Sequence, residues 1–106
     1  MFKMNSFSIH KDIDKFINSL SKEERDKVEW AIEMLKIKEY KIEMPFSRKI
    51  ENDLYELRIK SSKNIRIFYT FHENNIALLH IIGKKTQKLA LKDISTARNR
   101  LKWLKH

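Results

Sequence analysis

Leu54-Tyr55-Glu56-Leu57-Arg58-Ile59-Lys60, Ile65-Arg66-Ile67-Phe68-Tyr69-Thr70-Phe71-His72 and Ile76-Ala77-Leu78-Leu79-His80-Ile81-Ile82-Gly83-Lys84-Lys85 are the three runs that decide the fold. They are separated by Ser61-Ser62-Lys63-Asn64 and by Glu73-Asn74-Asn75. Each run is rich in β-branched and aromatic residues, and the polar breaks are short enough to be turns. The stretch therefore reads as a three-stranded antiparallel meander. In the first run, alternation places Tyr55, Leu57 and Ile59 on one face and Glu56, Arg58 and Lys60 on the other. A sheet with one apolar face needs a cover, which the helical segments on either side can supply.

Before the meander, Ile13, Phe16, Ile17 and Leu20 follow helical spacing and predict a helix from about Lys11 to Leu20. Ser21-Lys22-Glu23-Glu24 fits a capping box, so a second helix starts there and runs to about Lys38. Its Val28, Ala31, Ile32 and Leu35 face the core. Trp30, Met34 and Ile37 widen that stripe and are expected in the core rather than on a binding platform. Residues 2–9 alternate loosely enough to add an edge strand, and Met44-Pro45 marks a loop. After the meander, Ile94, Ala97, Leu101 and Leu104 place a third helix from about Ala90 to Leu104. The expected order is β-α-α-β-β-β-α in a single α+β domain spanning residues 1–106.

A chain of 106 residues that is 42% hydrophobic supports one modest core. It contains no cysteine, which excludes disulfides and thiolate metal sites. Its histidines show no zinc spacing, and neither a metal nor a cofactor is expected. No run approaches the roughly 18 apolar residues of a membrane span, and Met1-Phe2-Lys3-Met4-Asn5 lacks the apolar core of a signal peptide. A cytoplasmic protein is expected. The net charge of +9 is unevenly spread: residues 1–52 hold 11 Lys and Arg against 10 Asp and Glu, whereas residues 53–106 hold 12 against 4. A positive excess concentrated on the meander and the last helix points to a polyanionic partner, nucleic acid first. A solvated basic surface is the plainer alternative.

The chemistry-bearing residues gather on the same stretch. Glu56, Arg58 and Lys60 share a strand face, and Arg66 begins the antiparallel neighbour across a short turn. Lys84 and Lys85 end the third strand. Such a group can cradle a phosphate, and the arginine fork binds two oxygens while staying charged. A salt-bridge network is the competing reading, with Glu56 pairing Arg58 or neutralising Arg66. As an exposed strand arginine, Arg66 is expected to add little to stability. Tyr69 has the parity of Ile65 and Ile67, which assigns it to the core. His80 shares the spacing of Leu78 and Ile82 and is expected to be partly buried. Arg48 and Lys49 fall on the loop before the meander, where they contact RNA backbone or are simply solvated.

Leu-Tyr-Glu-Leu-Arg, Arg66-Ile67-Phe68-Tyr69, Leu79-His80 and Lys84-Lys85-Thr86-Gln87-Lys88 together resemble the core pattern of the RelE/HigB superfamily of bacterial toxins, over about Ile13 to Leu101. The resemblance implies a RelE-like fold and the toxin of a type II toxin–antitoxin system, an endoribonuclease acting on translated mRNA at the ribosome. It implies a cognate antitoxin of helix-turn-helix type encoded by an adjacent gene. Carried over by position, it implies Glu56 as general base, Arg58 and Arg66 as phosphate stabilisers and Lys85 as donor to the leaving group. Arg48, Lys49, Lys60, Lys84 and His80 would then contact RNA. Some relatives carry a catalytic tyrosine shortly after the third strand, and Thr86 to Leu91 contains none. The same fold also occurs in toxins that inhibit DNA gyrase without nuclease activity, and an inactive homologue that only binds its antitoxin is a further alternative.

Overall fold

The computed structural model describes residues 4–39, 46–84 and 90–106, the side chain of residue 84 excepted. The elements run β1 (Asn5–Ser8), α1 (Lys11–Ser19), α2 (Lys22–Lys38), β2 (Ser47–Glu51), β3 (Leu54–Ile59), β4 (Asn64–His72), β5 (Asn75–Lys84) and α3 (Leu91–Leu104). The strands form one sheet in the order β1-β5-β4-β3-β2, with β1 parallel to β5 and every other pairing antiparallel. The α+β reading and its three helices hold. The sequence reading omitted β2, because Ser-Arg-Lys-Ile-Glu is short and charged and becomes a strand only by pairing with β3. Arg48 and Lys49 therefore stand on a strand, not on a loop. The expected Met44-Pro45 loop lies outside the described residues.

Local signals account for the element ends. Ser21 caps α2 by accepting from the Glu24 amide at 3.2 Å, as the capping box requires. The Glu24 carboxylate departs from the box. It accepts from the Ser21, Ser61 and Ser62 hydroxyls and so ties the start of α2 to the β3–β4 turn. The β4–β5 hairpin closes between His72 and Asn75 through Glu73 and Asn74, both at positive φ. That is the conformation a two-residue turn needs to match strand twist.

Helices cover both faces of the sheet. On one face Ile13, Val28, Ala31, Ile32 and Leu35 of α1 and α2 pack on Leu57, Ile59, Ile65, Ile67 and Tyr69. Burial pushes the Tyr69 phenol up to about 12, although its 2.6 Å hydrogen bond with Ser47 acts in the opposite direction. Tyr69 is thus a neutral core residue, as its parity suggested. On the other face Ala97 and Leu101 of α3 pack on Leu54, Phe68, Ala77, Leu79 and Ile82. The face that alternation marked as polar is therefore part core.

One irregularity decides which residues reach that face. The β4–β5 register shifts between Phe68, opposite His80, and Tyr69, opposite Leu78. The bulge puts Leu78 in the α1–α2 core while His80 stacks on Phe68 beneath α3. His80 shares a face with Ile82 but not with Leu78, which corrects the reading from spacing alone.

Arg100 anchors α3 in place. Its guanidinium binds both Asp12 oxygens, at 3.1 and 2.7 Å, and donates to the Leu79 carbonyl at 2.9 Å. The Arg100 hydrogen bond holds the Asp12 carboxyl below its ordinary value of 3.8. A lowered folded-state value means that Asp12 stabilises the fold above 3.8 and loses that contribution as pH falls through the folded value. Asp12→Asn should therefore lower the unfolding temperature at neutral pH and narrow its difference from wild type in acid. An equal difference across the pH series would show that the pair adds nothing.

Candidate active site

Strand pairing builds the site. On β3, Glu56 stands between Arg48 of β2 and Phe68 of β4, and Arg58 stands directly opposite Arg66. Two arginines facing each other across strands repel unless an anion lies between them. Glu56 supplies that charge. Its Oε1 accepts from Arg48 Nε at 2.9 Å and lies 3.6 Å from Arg58 Nε, while Oε2 accepts from Arg66 Nη1 at 3.2 Å. The carboxylate is wholly buried.

The three cations differ in access. The Arg66 side chain is 2% exposed, Arg58 25% and Arg48 41%. Arg66 is thus not an exposed strand arginine, because Ile82 and Phe68 flank it across and along the sheet on the face that α3 partly covers. It is a buried charge whose place depends on Glu56. Among the described residues the three cations converge on this one carboxylate, and Arg58 and Arg48 are the two that reach solvent.

His80 lies farther along the same row, with Phe68 between it and Glu56. Its ring stacks on Phe68 with centroids 5.9 Å apart, and its Nε2 lies 3.0 Å from Asp93 Oδ1 in the first turn of α3. His80 Nδ1 is buried and has no hydrogen-bond partner among the described residues. Asp93 escaped the sequence reading; an acid in the first turn of a helix usually serves only the helix dipole, and nothing local ties it to a strand thirteen residues earlier.

The remaining expected residues divide. Lys49 is exposed and pairs in register with Tyr55, so it has the opposite parity from the arginine cluster. Lys60 is exposed just beyond β3 and borders a groove beside α2. Lys84 ends β5 opposite Asn64, with its side chain outside the description. Lys85 lies outside the described residues. No group of histidine and carboxylate side chains suited to holding a metal occurs among the described residues. No described helix is long and apolar enough to cross a membrane.

A five-stranded, mostly antiparallel sheet with three helices and an arginine cluster around one buried acid defines a small, basic α+β domain of RelE-like fold. The chain belongs to the family of the phage derived protein Gp49-like (DUF891), whose family model matches residues 15–102. That family is associated with RelE-like toxins of toxin–antitoxin systems. A comparison with curated proteins found no match.

Proposed function

We propose that this protein is the toxin of a type II toxin–antitoxin system in the RelE/HigB superfamily, an endoribonuclease that cuts translated mRNA at the ribosome. The observation that supports this reading is the convergence of Arg48, Arg58 and Arg66 on one buried carboxylate, with the Arg48 and Arg58 side chains reaching solvent. Rigid strands hold that charge, and fixed cations of this kind stabilise a phosphorane without reorganising during reaction.

In the proposed reaction, a ribose 2′-hydroxyl loses its proton and attacks the adjacent phosphorus. The bond to the 5′-oxygen breaks and that oxygen takes up a proton, leaving a 2′,3′-cyclic phosphate and a 5′-hydroxyl. Arg58 and Arg48 meet the phosphate oxygens, and Arg66 supports them from below. Glu56 positions the arginines; to accept the 2′-hydroxyl proton as well, it needs Arg48, the most exposed of the three, to swing away from Oε1. Lys85, with Lys84 beside it, is assigned to the leaving oxygen. Lys49, Lys60 and His80 are assigned to RNA contacts outside the reacting centre. The partner would be an acidic antitoxin segment drawn to the basic half of the chain, encoded next door and carrying a helix-turn-helix.

Primer extension after induction, together with incubation of purified protein and mRNA with and without ribosomes, tests the reading. New 5′ ends should appear inside coding regions, with ribosomes required. Intact mRNA accompanied by altered DNA supercoiling would replace this reading with gyrase inhibition. Intact mRNA and unchanged supercoiling would leave an inactive antitoxin-binding protein.

A further inference from the structure

Helix α2 has a second stripe that the core does not use. Val28, Ala31, Ile32 and Leu35 are buried, but Trp30 is 61% exposed and Ile37 65%, with Met34 half-buried between them. The expectation that these residues belong to the core is therefore wrong for Trp30 and Ile37. Helical spacing identified an apolar side of α2, but the sheet is too narrow there to cover it all, since β2 pairs with β3 only from Leu54 to Leu57.

Beyond Leu57 the chain leaves a corner. The Arg58 amide donates to the Phe46 carbonyl at 2.7 Å, which brings Phe46, itself 47% exposed, to the rim. Between α2 and this corner lies a groove of about 650 Å³, bordered by Lys27, Trp30, Met34, Phe46, Arg58 and Lys60. Arg66 also borders it, but its buried side chain lies with Glu56 on the face that α3 partly covers. The cluster member with solvent access beside the groove is therefore Arg58. The acid at its border, Asp26, is paired with Lys22 at 2.9 Å. Lys27 has an exposed contact with Glu23 at 3.6 Å, a kind of pair that yields readily to a phosphate.

Exposed aromatic walls and a cationic border are the features that hold single-stranded nucleic acid. We propose that this groove takes a base of single-stranded RNA stacked on the Trp30 indole, with Phe46 as the facing wall. The strand's phosphates pass Lys27 and Lys60 and lead to Arg58. The inference rests on the nuclease reading above and adds to it the site that grips the substrate beside the scissile bond. RNA is favoured over an apolar peptide because the cations stand at the border of the aromatic groove itself.

The chain has two tryptophans, so a Trp103→Phe background leaves Trp30 as the sole indole fluorophore. Trp103 is 71% exposed, and this exchange should leave the fold intact. A single-stranded 2′-O-methyl RNA oligonucleotide, which cannot be cleaved, should quench Trp30 emission saturably; the same sequence in a duplex should not. Trp30→Ala should weaken RNA binding roughly 10-fold, the scale of one lost base stack, with unchanged thermal unfolding, and Trp30→Phe should restore part of the affinity. Wild-type RNA affinity in Trp30→Ala, with cleavage still lost on replacing Arg58, would overturn the groove proposal and spare the nuclease reading. Absence of RNA binding by the wild-type chain would overturn both. Loss of capture of the adjacent gene's product in Trp30→Ala, with RNA affinity unchanged, would assign the face to a protein partner instead.

Discussion

Replacing Glu56 with alanine is expected to lower the unfolding free energy by about 3–5 kcal/mol, the range for removing one partner of a buried ion pair. Arg66, 2% exposed, would remain in a desolvated position facing Arg58 without the carboxylate that lies between them. Arg48 and Arg58 can turn part of their charge to water, so the loss falls chiefly on Arg66. Glu56→Gln should cost less, because an amide oxygen still accepts one guanidinium hydrogen bond. The double variant Glu56→Leu with Arg66→Met should regain most of the lost stability, since well-packed apolar groups often replace a buried pair at little cost. It should not regain toxicity. Urea unfolding of the four proteins measures this directly. A loss below about 1 kcal/mol for Glu56→Ala, the scale of an exposed pair, would mean that the cluster does not depend on its acid.

Replacing Arg58 with alanine should separate chemistry from folding. The Arg58 side chain is 25% exposed and makes the longest of the three contacts with Glu56, at 3.6 Å. Its loss should leave the fold nearly as stable as before. Single-turnover cleavage at saturating protein should nevertheless fall roughly 100-fold or more, as expected when a charged stabiliser of the transition state is removed. Arg58→Lys should not rescue the rate, because a lysine cannot span two phosphate oxygens. Arg48→Ala should act differently, weakening RNA binding and reducing its salt dependence by about one phosphate contact. Lys102→Ala, on the exposed side of α3, should change neither quantity. If Arg58→Ala cleaves at the wild-type rate once RNA is bound, Arg58 binds substrate without assisting the reaction. Arg66→Ala cannot give so clean a result, since its burial couples any loss of activity to a loss of stability.

The meander was legible residue by residue. Alternation placed Tyr55, Leu57 and Ile59 in the core, and β4 paired with β3 so that Arg66 faces Arg58. The helices were equally clear, since three- and four-residue spacings of Ile13, Val28, Leu35, Ala97 and Leu101 are local properties of the chain. These features depend on backbone periodicity, which a sequence carries directly.

What the sequence could not decide was which faces would be covered. The bulge beside Tyr69 reverses the parity of His80 relative to Leu78 and sets it under α3, within reach of Asp93. Strand β2 exists because β3 offers it an edge, and it brings Arg48 onto Glu56. Helix α3 then turns half of a polar face into core and leaves Glu56 and Arg66 buried at its margin. On α2, the same apolar spacing that buries Leu35 leaves Trp30 exposed, because the sheet ends beneath it. Parity and periodicity depend on neighbours along the chain. Burial depends on elements brought together from distant parts of it, and only the tertiary structure determines whether a charged or aromatic side chain there faces protein or water.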